Sequence, residues 1–210
     1  MGTATRRSRA QAHGHREYWA QPQEGALTYV ALGDSAGVGV GVDDPEHGYV
    51  GVVARRLTES TGKTLRVMNF SISGAMARDV LDNQVPKLTE IPAPDFVTCV
   101  IGGNDVAWKA VFRPADFERD MESIATALPT GSVLGLVANF RHWPHENRVR
   151  RANQVIRQAA ERHSHAVADI HSPTTTLPLR EYLRTFAHDR FHPNEKGHLL
   201  WADAVWEQLT

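Results

Sequence analysis

Cysteine is almost absent from this 210-residue chain: Cys99 stands alone, which excludes an intrachain disulfide framework and any cysteine cluster for a metal. It sits in an apolar run, where a packed core thiol is expected rather than a nucleophile. Long apolar runs are missing as well, so no segment has the length of a membrane-spanning helix and no stable membrane insertion is expected. Net charge is nearly absent, at −1, which removes the overall electrostatic footprint of a nucleic-acid or anionic-membrane binder. Histidine is plentiful, yet the close groups His163 and His165, His142 and His145, and His188, His192 and His198 lack acids and cysteines at a metal-ligand spacing. The run Gly37-Val38-Gly39-Val40-Gly41 stops short of a G-x-G-x-x-G fingerprint because position 42 is valine, and no Gly-Lys-Ser/Thr follows a glycine loop. Neither metal nor cofactor is expected.

At the N-terminus, Arg6-Arg7-Ser8-Arg9 begins like a twin-arginine signal, but the hydrophobic region that must follow is missing. Residues 1–25 read as a basic, mostly disordered tail whose removal leaves the rest of the chain functional, and the protein reads as cytoplasmic.

What is present is a repeated alternation. Apolar runs of strand length occur at 27–32, 65–70, 95–101, 132–138 and 165–170, several of them apolar almost throughout, as in strands covered on both faces. Helical patterns lie between them near 48–61, 77–89, 115–128 and 146–163, and a last one covers 194–209. Gly62 suits a helix end, and Pro86 ends or bends the 77–89 pattern. Strand–helix alternation of this kind predicts one α/β domain over residues 26–210, a three-layer α/β/α sandwich with a five-stranded parallel sheet of flavodoxin-like type.

Polar residues gather where these strands stop. The first strand runs into Gly33-Asp34-Ser35-Ala36-Gly37, the second into Ser71-Ile72-Ser73-Gly74, and the third into Gly102-Gly103-Asn104-Asp105. In an open parallel sheet all three belong on the carboxyl edge, where ligands bind. Near the C-terminus, Asp189 precedes His192 by three residues, close enough for a carboxylate to reach the imidazole across one turn. A serine, a histidine and an acid that orients it are the parts of a serine hydrolase. Asp34 and Asp105 read as loop-bracing hydrogen bonders, and Asn69 as a side chain satisfying buried backbone. Gly33 to Gly37 also fits the G-x-S-x-G elbow of α/β-hydrolases, an accidental match because that elbow lies mid-chain and its acid and histidine on separate loops.

Taken together, these blocks resemble those of the SGNH (GDSL-type) esterase and lipase family. Ser35, Gly74, Asn104 and His192 match its four signature residues in order, and the resemblance covers about residues 27–210; Ala36 departs from the usual leucine. The resemblance implies a metal-independent carboxylic ester hydrolase with Ser35 as nucleophile, His192 as base and Asp189 as its orienting acid. The oxyanion donors would be the backbone N–H groups of Ser35 and Gly74 and the Asn104 carboxamide. Val38, Met76, Trp108 and Phe112 are candidates for an apolar substrate pocket, with Val111, Phe140 and Trp143 as further aromatic or apolar neighbours. The expected partner is a small or lipid-derived ester rather than a nucleic acid. The alternatives are an acyltransferase or thioesterase using the same serine, and an α/β binding domain without turnover.

Overall fold

The first strand, β1 (Leu27–Gly33), alternates in the way that decides the architecture. Tyr29 and Ala31 face one side, Val30 and Leu32 the other, and all four are completely buried, so both faces of the sheet must be covered. The computed structural model describes residues 3–108, 112–141 and 145–209. In it β1 is joined by β2 (Leu65–Asn69), β3 (Phe96–Val100), β4 (Val133–Gly135) and β5 (Ala166–Ala168) in one five-stranded sheet of order β2-β1-β3-β4-β5, every pair parallel. This is the expected fold class. β4 and β5 are shorter than their apolar runs, because residues 136–138 and 169–170 leave the ladder as loop.

Val30, Leu32, Val97 and Cys99 pack against α4 (Ala77–Asn83), α6 (Pro114–Ala127) and α7 (His145–Arg162). Burial there pushes the Cys99 thiol up to about 12, so it is an inert core residue, as its surroundings in the sequence imply. The other layer, against Tyr29, Ala31 and Val67, consists of α3 (Tyr49–Thr61), α10 (Glu195–Trp206) and an N-terminal helix, α1 (Thr3–Trp19).

α1 corrects the expectation of a disordered tail over residues 1–25. Its inward residues Ser8, Gln11, His15 and Trp19 are spaced three, four and four apart and make one helix face, but three of the four are polar, so hydrophobic periodicity does not report it. The face is anchored by Trp19, which is buried and donates its indole N–H to the Val38 carbonyl at 3.1 Å. Elsewhere the punctuation works as its chemistry requires. Gly62, at φ +65°, closes α3 by donating to Thr58. Pro86 falls in a 3₁₀ turn, Val85–Glu90, so the 77–89 pattern is a short helix followed by that turn.

The chain runs from β1 outward to β2, then crosses back over β1 to β3. The loops leaving β1 and β3 therefore diverge, opening a crevice at the carboxyl ends of these two strands. Among the described residues no helix is long and apolar enough to cross a membrane.

Candidate active site

Ser35 stands in that crevice as the first residue of a four-residue helix, α2 (Ser35–Val38), directly after β1. Asp34 caps α2, its Oδ1 accepting the Ala36 N–H at 2.9 Å. The end of β1 is held from behind by Gln84, which is fully buried and whose carboxamide bonds both the N–H and the C=O of Gly33. On the other flank, Asn69 donates to the Gly37 carbonyl at 2.7 Å and accepts the Ser71 N–H. The serine is thus fixed by backbone bonds on both sides and is itself 5% exposed.

His192 arrives from the C-terminal segment. A bridge between Phe186 and Pro193 and a bond from the Ala187 N–H to the His192 carbonyl fold residues 186–193 into a tight loop, with Arg190 in left-handed backbone at φ +56°. Asn194 then caps α10 with its side-chain oxygen and ties its amide to the carbonyls of Arg184 and Phe186. In this frame His192 Nε2 lies 2.9 Å from Ser35 Oγ, and His192 Nδ1 lies 2.6 Å from Asp189 Oδ2. Asp189 Oδ1 accepts the N–H groups of Phe191 and His192, each at 3.0 Å. Burial alone would raise the Asp189 carboxyl; the bonds from His192, Ser8 and these two N–H groups outweigh it and hold the group well below the usual carboxylate range. An ionised Asp189 at Nδ1 fixes the tautomer that leaves Nε2 as an acceptor for the serine proton.

Gly74 and Asn104 lie on the loops after β2 and β3. Gly74 has φ +86°, a conformation that favours glycine, with open space where a Cβ would project. Asn104 is 2% exposed at the start of α5 (Gly103–Trp108), and its Nδ2 donates one hydrogen to the Ala75 carbonyl at 2.9 Å, which ties the two loops together. Asp105 braces the same junction by accepting the Ala77 N–H. As the first residue of α2, Ser35 has a backbone N–H with no intrahelical acceptor.

Beside Ser35 and His192 lies a mostly apolar cavity of about 70 Å³, walled chiefly by Leu136, Val137, Phe140, Tyr182, Phe186 and Phe191. Among the described residues this corrects the expected pocket set: Phe140 lines the cavity, and Val38, Met76 and Phe112 do not. Val38 is buried under Trp19, Phe112 packs on Phe117 with ring centroids 5.6 Å apart, and Met76 caps α4. The Trp108 side chain, Val111 and Trp143 lie outside the described residues. Leu136, Val137 and Phe140 come from the segment after β4. The other three come from α9 (Leu179–Leu183), which follows the short α8 (His171–Thr176), and from the loop after it. That segment has little apolar periodicity, which is why the sequence does not single those three out.

Two buried ionisable groups flank the serine loop. Burial pushes the Asp34 carboxyl up to about 6, with Asp105 adding to the rise and the Ala36 N–H and His192 opposing it. His198 is fully buried, its Nδ1 accepting the Tyr49 N–H and its Nε2 facing the Val40 carbonyl; burial lowers it to about 4. Among the described residues no three His, Cys, Asp or Glu side chains are arranged to hold a metal ion.

Known proteins resemble this chain in sequence and in fold. The GDSL-like esterase Rv1075c of Mycobacterium tuberculosis is 26% identical over 191 residues, which are 85% of this chain and 60% of that protein; this chain therefore spans little more than half the length of that relative. Among solved structures, LAE5, an alpha/beta hydrolase enzyme from the metagenome of Lake Arreo, superposes with a TM-score of 0.71 at 23% identity over 89% of this chain and 96% of its own. Axe2, an acetylxylan esterase from Geobacillus stearothermophilus, gives 0.69 at 23% identity, over 88% and 94%. At such identities these two show the fold. The family itself is shown by a sequence model that matches residues 31–200: the chain belongs to the GDSL-like lipase/acylhydrolase family.

Proposed function

We propose that this protein is a serine carboxylic ester hydrolase working through an acyl-serine intermediate. The observation that carries the reading is the continuous relay from Ser35 Oγ to His192 Nε2 at 2.9 Å and from His192 Nδ1 to Asp189 at 2.6 Å, in the crevice between β1 and β3. Ser35 Oγ attacks the ester carbonyl carbon as its proton passes to His192 Nε2, and Asp189 stabilises the resulting imidazolium. The negative charge that develops on the carbonyl oxygen is met by the N–H groups of Ser35 and Gly74 and by the second Nδ2 hydrogen of Asn104. Collapse breaks the ester C–O bond, and His192 returns its proton to the departing alkoxide. Water then attacks the acyl-serine by the same route in reverse, releasing the acid and restoring Ser35. The small cavity against Ser35 favours short acyl groups over long chains, as in the acetyl ester named for Axe2.

The test is hydrolysis of p-nitrophenyl esters from acetate to palmitate by the protein and by Ser35→Ala. Turnover of the short esters that disappears in the variant is the expected result. Undiminished turnover in Ser35→Ala, or no turnover together with no labelling of Ser35 by an organophosphonate, would overturn the reading.

A further inference from the structure

The polar face of α1 is laid along the loop that follows the nucleophile. Gln11 Nε2 donates to the Val42 carbonyl at 2.9 Å while its Oε1 accepts the Gly41 N–H, and His15 Nε2 faces the Asp43 carbonyl. Arg7 pairs with Asp43, Tyr18 with Glu46, and Trp19 is buried against Val38. At the far end of the same face, Ser8 Oγ lies 2.6 Å from Asp189 Oδ2, the oxygen that His192 Nδ1 also reaches. Every ordinary acceptor position of that carboxylate is thereby taken: two backbone N–H groups on Oδ1, and the imidazole and the serine hydroxyl on Oδ2.

We infer that Ser8 is a positioning residue for the ester hydrolysis proposed above, a fourth member of the relay supplied by α1, which orients Asp189 and keeps it ionised behind His192. The inference rests on that functional reading. Two bonds to the loop backbone fix Oδ1 but leave Oδ2, the oxygen that must stay in line with Nδ1, dependent on its own partners. The Ser8 hydroxyl is the second donor on that oxygen, beside the imidazole. Ser8 and Asp189 both line an open cleft of about 440 Å³. Without the hydroxyl, Oδ2 exchanges a fixed donor for mobile water of this cleft, and the carboxyl loses a charge-assisted bond, moving up toward its ordinary value. The charged and titratable groups that face the cleft are Arg7 from α1, Asp43 from the nucleophile loop, Arg184 and His188 from the segment before Asp189, and Glu195 and Lys196 from α10. On this view the first 25 residues are part of the working enzyme, and their removal does not leave it intact.

The experiment compares the full-length protein with Ser8→Ala and Ser8→Thr on p-nitrophenyl acetate across pH, with the rate of Ser35 labelling by an organophosphonate measured alongside. Expected for Ser8→Ala is kcat lower by roughly 10- to 100-fold, the worth of a hydrogen bond to a charged group, with KM unchanged and the acid limb of the kcat/KM profile displaced to higher pH. Ser8→Thr keeps the hydroxyl and restores both rate and profile. Ser8→Ala with the wild-type kcat, labelling rate and acid limb overturns the role while leaving the esterase reading standing. A wild-type protein that neither hydrolyses esters nor is labelled at Ser35 overturns the esterase reading, and this role with it.

Discussion

The carboxamide of Gln84 is paired with both polar groups of the Gly33 backbone: Oε1 accepts the N–H at 2.9 Å and Nε2 donates to the carbonyl at 2.8 Å. β1 ends at Gly33, and Gln84, completely buried at the end of α4, bonds this last residue as a further strand neighbour would. Ser35 follows two residues later, so the position of the proposed nucleophile depends on a side chain from the opposite layer.

Gln84→Leu keeps most of the volume and removes the pairing. The buried Gly33 N–H is then orphaned, at a cost of about 1–3 kcal/mol, whereas the Gly33 carbonyl keeps its bond from the Ile72 N–H. Urea denaturation should show the loss, and kcat should fall as Ser35 leaves its alignment with His192. A variant with wild-type stability and kcat would show that the pairing is dispensable.

On the proposed mechanism Asn104 has two tasks: one hydrogen of its amide serves the Ala75 carbonyl, and the other meets the substrate oxyanion. Asn104→Ala removes one preorganised donor, and kcat should drop roughly 10²–10³-fold. The buried Ala75 carbonyl also loses its partner, so stability should fall by about 1–3 kcal/mol without loss of the fold. Steady-state kinetics and thermal melts report the two effects separately; near-normal kcat would take Asn104 out of the mechanism.

Sequence pattern reports what repeats, and the fold is built from what repeats. The strands that bury both faces and the helices that separate them announce themselves through apolar composition, and the polar residues at strand ends through their positions. Ser35 and Asn104 were legible for that reason, Asp189 and His192 through their spacing of three, and Gly74 through the family resemblance. Ser8 and Gln84 were not: each is one polar residue whose importance lies wholly in a partner far along the chain, Asp189 and Gly33 respectively. α1 escaped because its docking face is hydrogen-bonded rather than apolar. That part of the cavity wall escaped because Tyr182 comes from a five-residue helix and Phe186 and Phe191 from irregular backbone, where aromatic residues have no period to read.

Gly74 separates backbone conformation from packing. At φ +86° it has nothing within 4 Å of an added Cβ, so Gly74→Ala meets no clash and carries only the cost of left-handed backbone, about 1–2 kcal/mol. The cheapest relief is a rotation of the loop, which on the proposed mechanism turns the Gly74 N–H away from the carbonyl oxygen of the substrate. Activity should therefore fall much further than stability, with kcat down by more than about tenfold and a melting temperature lower by only a few degrees. Equal and small losses in both would mean that the Gly74 N–H is not an oxyanion donor.

Asp34 and His198 pull the pH dependence of stability in opposite directions. Asp34, with its carboxyl raised to about 6, binds its proton more tightly in the folded protein than in the unfolded chain. Its contribution is fully present below the ordinary aspartate value and is lost as pH rises toward 6, a change of about 3 kcal/mol. His198, lowered to about 4, is held neutral when folded, whereas the unfolded histidine takes up a proton below its ordinary value of 6.5. Its contribution is present above that value and is lost as pH falls toward 4, again by about 3 kcal/mol. Between about pH 4 and 6 the two slopes cancel, and the wild-type protein should show little dependence from this pair. Asp34→Asn keeps an acceptor for the Ala36 N–H and removes the buried charge, so the variant should gain stability steadily from pH 4 to pH 6.5. His198→Gln, whose carboxamide bridges the Tyr49 N–H and the Val40 carbonyl without titrating, should instead lose stability over the same interval. Urea midpoints at half-unit intervals decide the matter: two variants with parallel curves would remove both groups as determinants, whereas opposed curves identify the ionisations that bracket the serine loop.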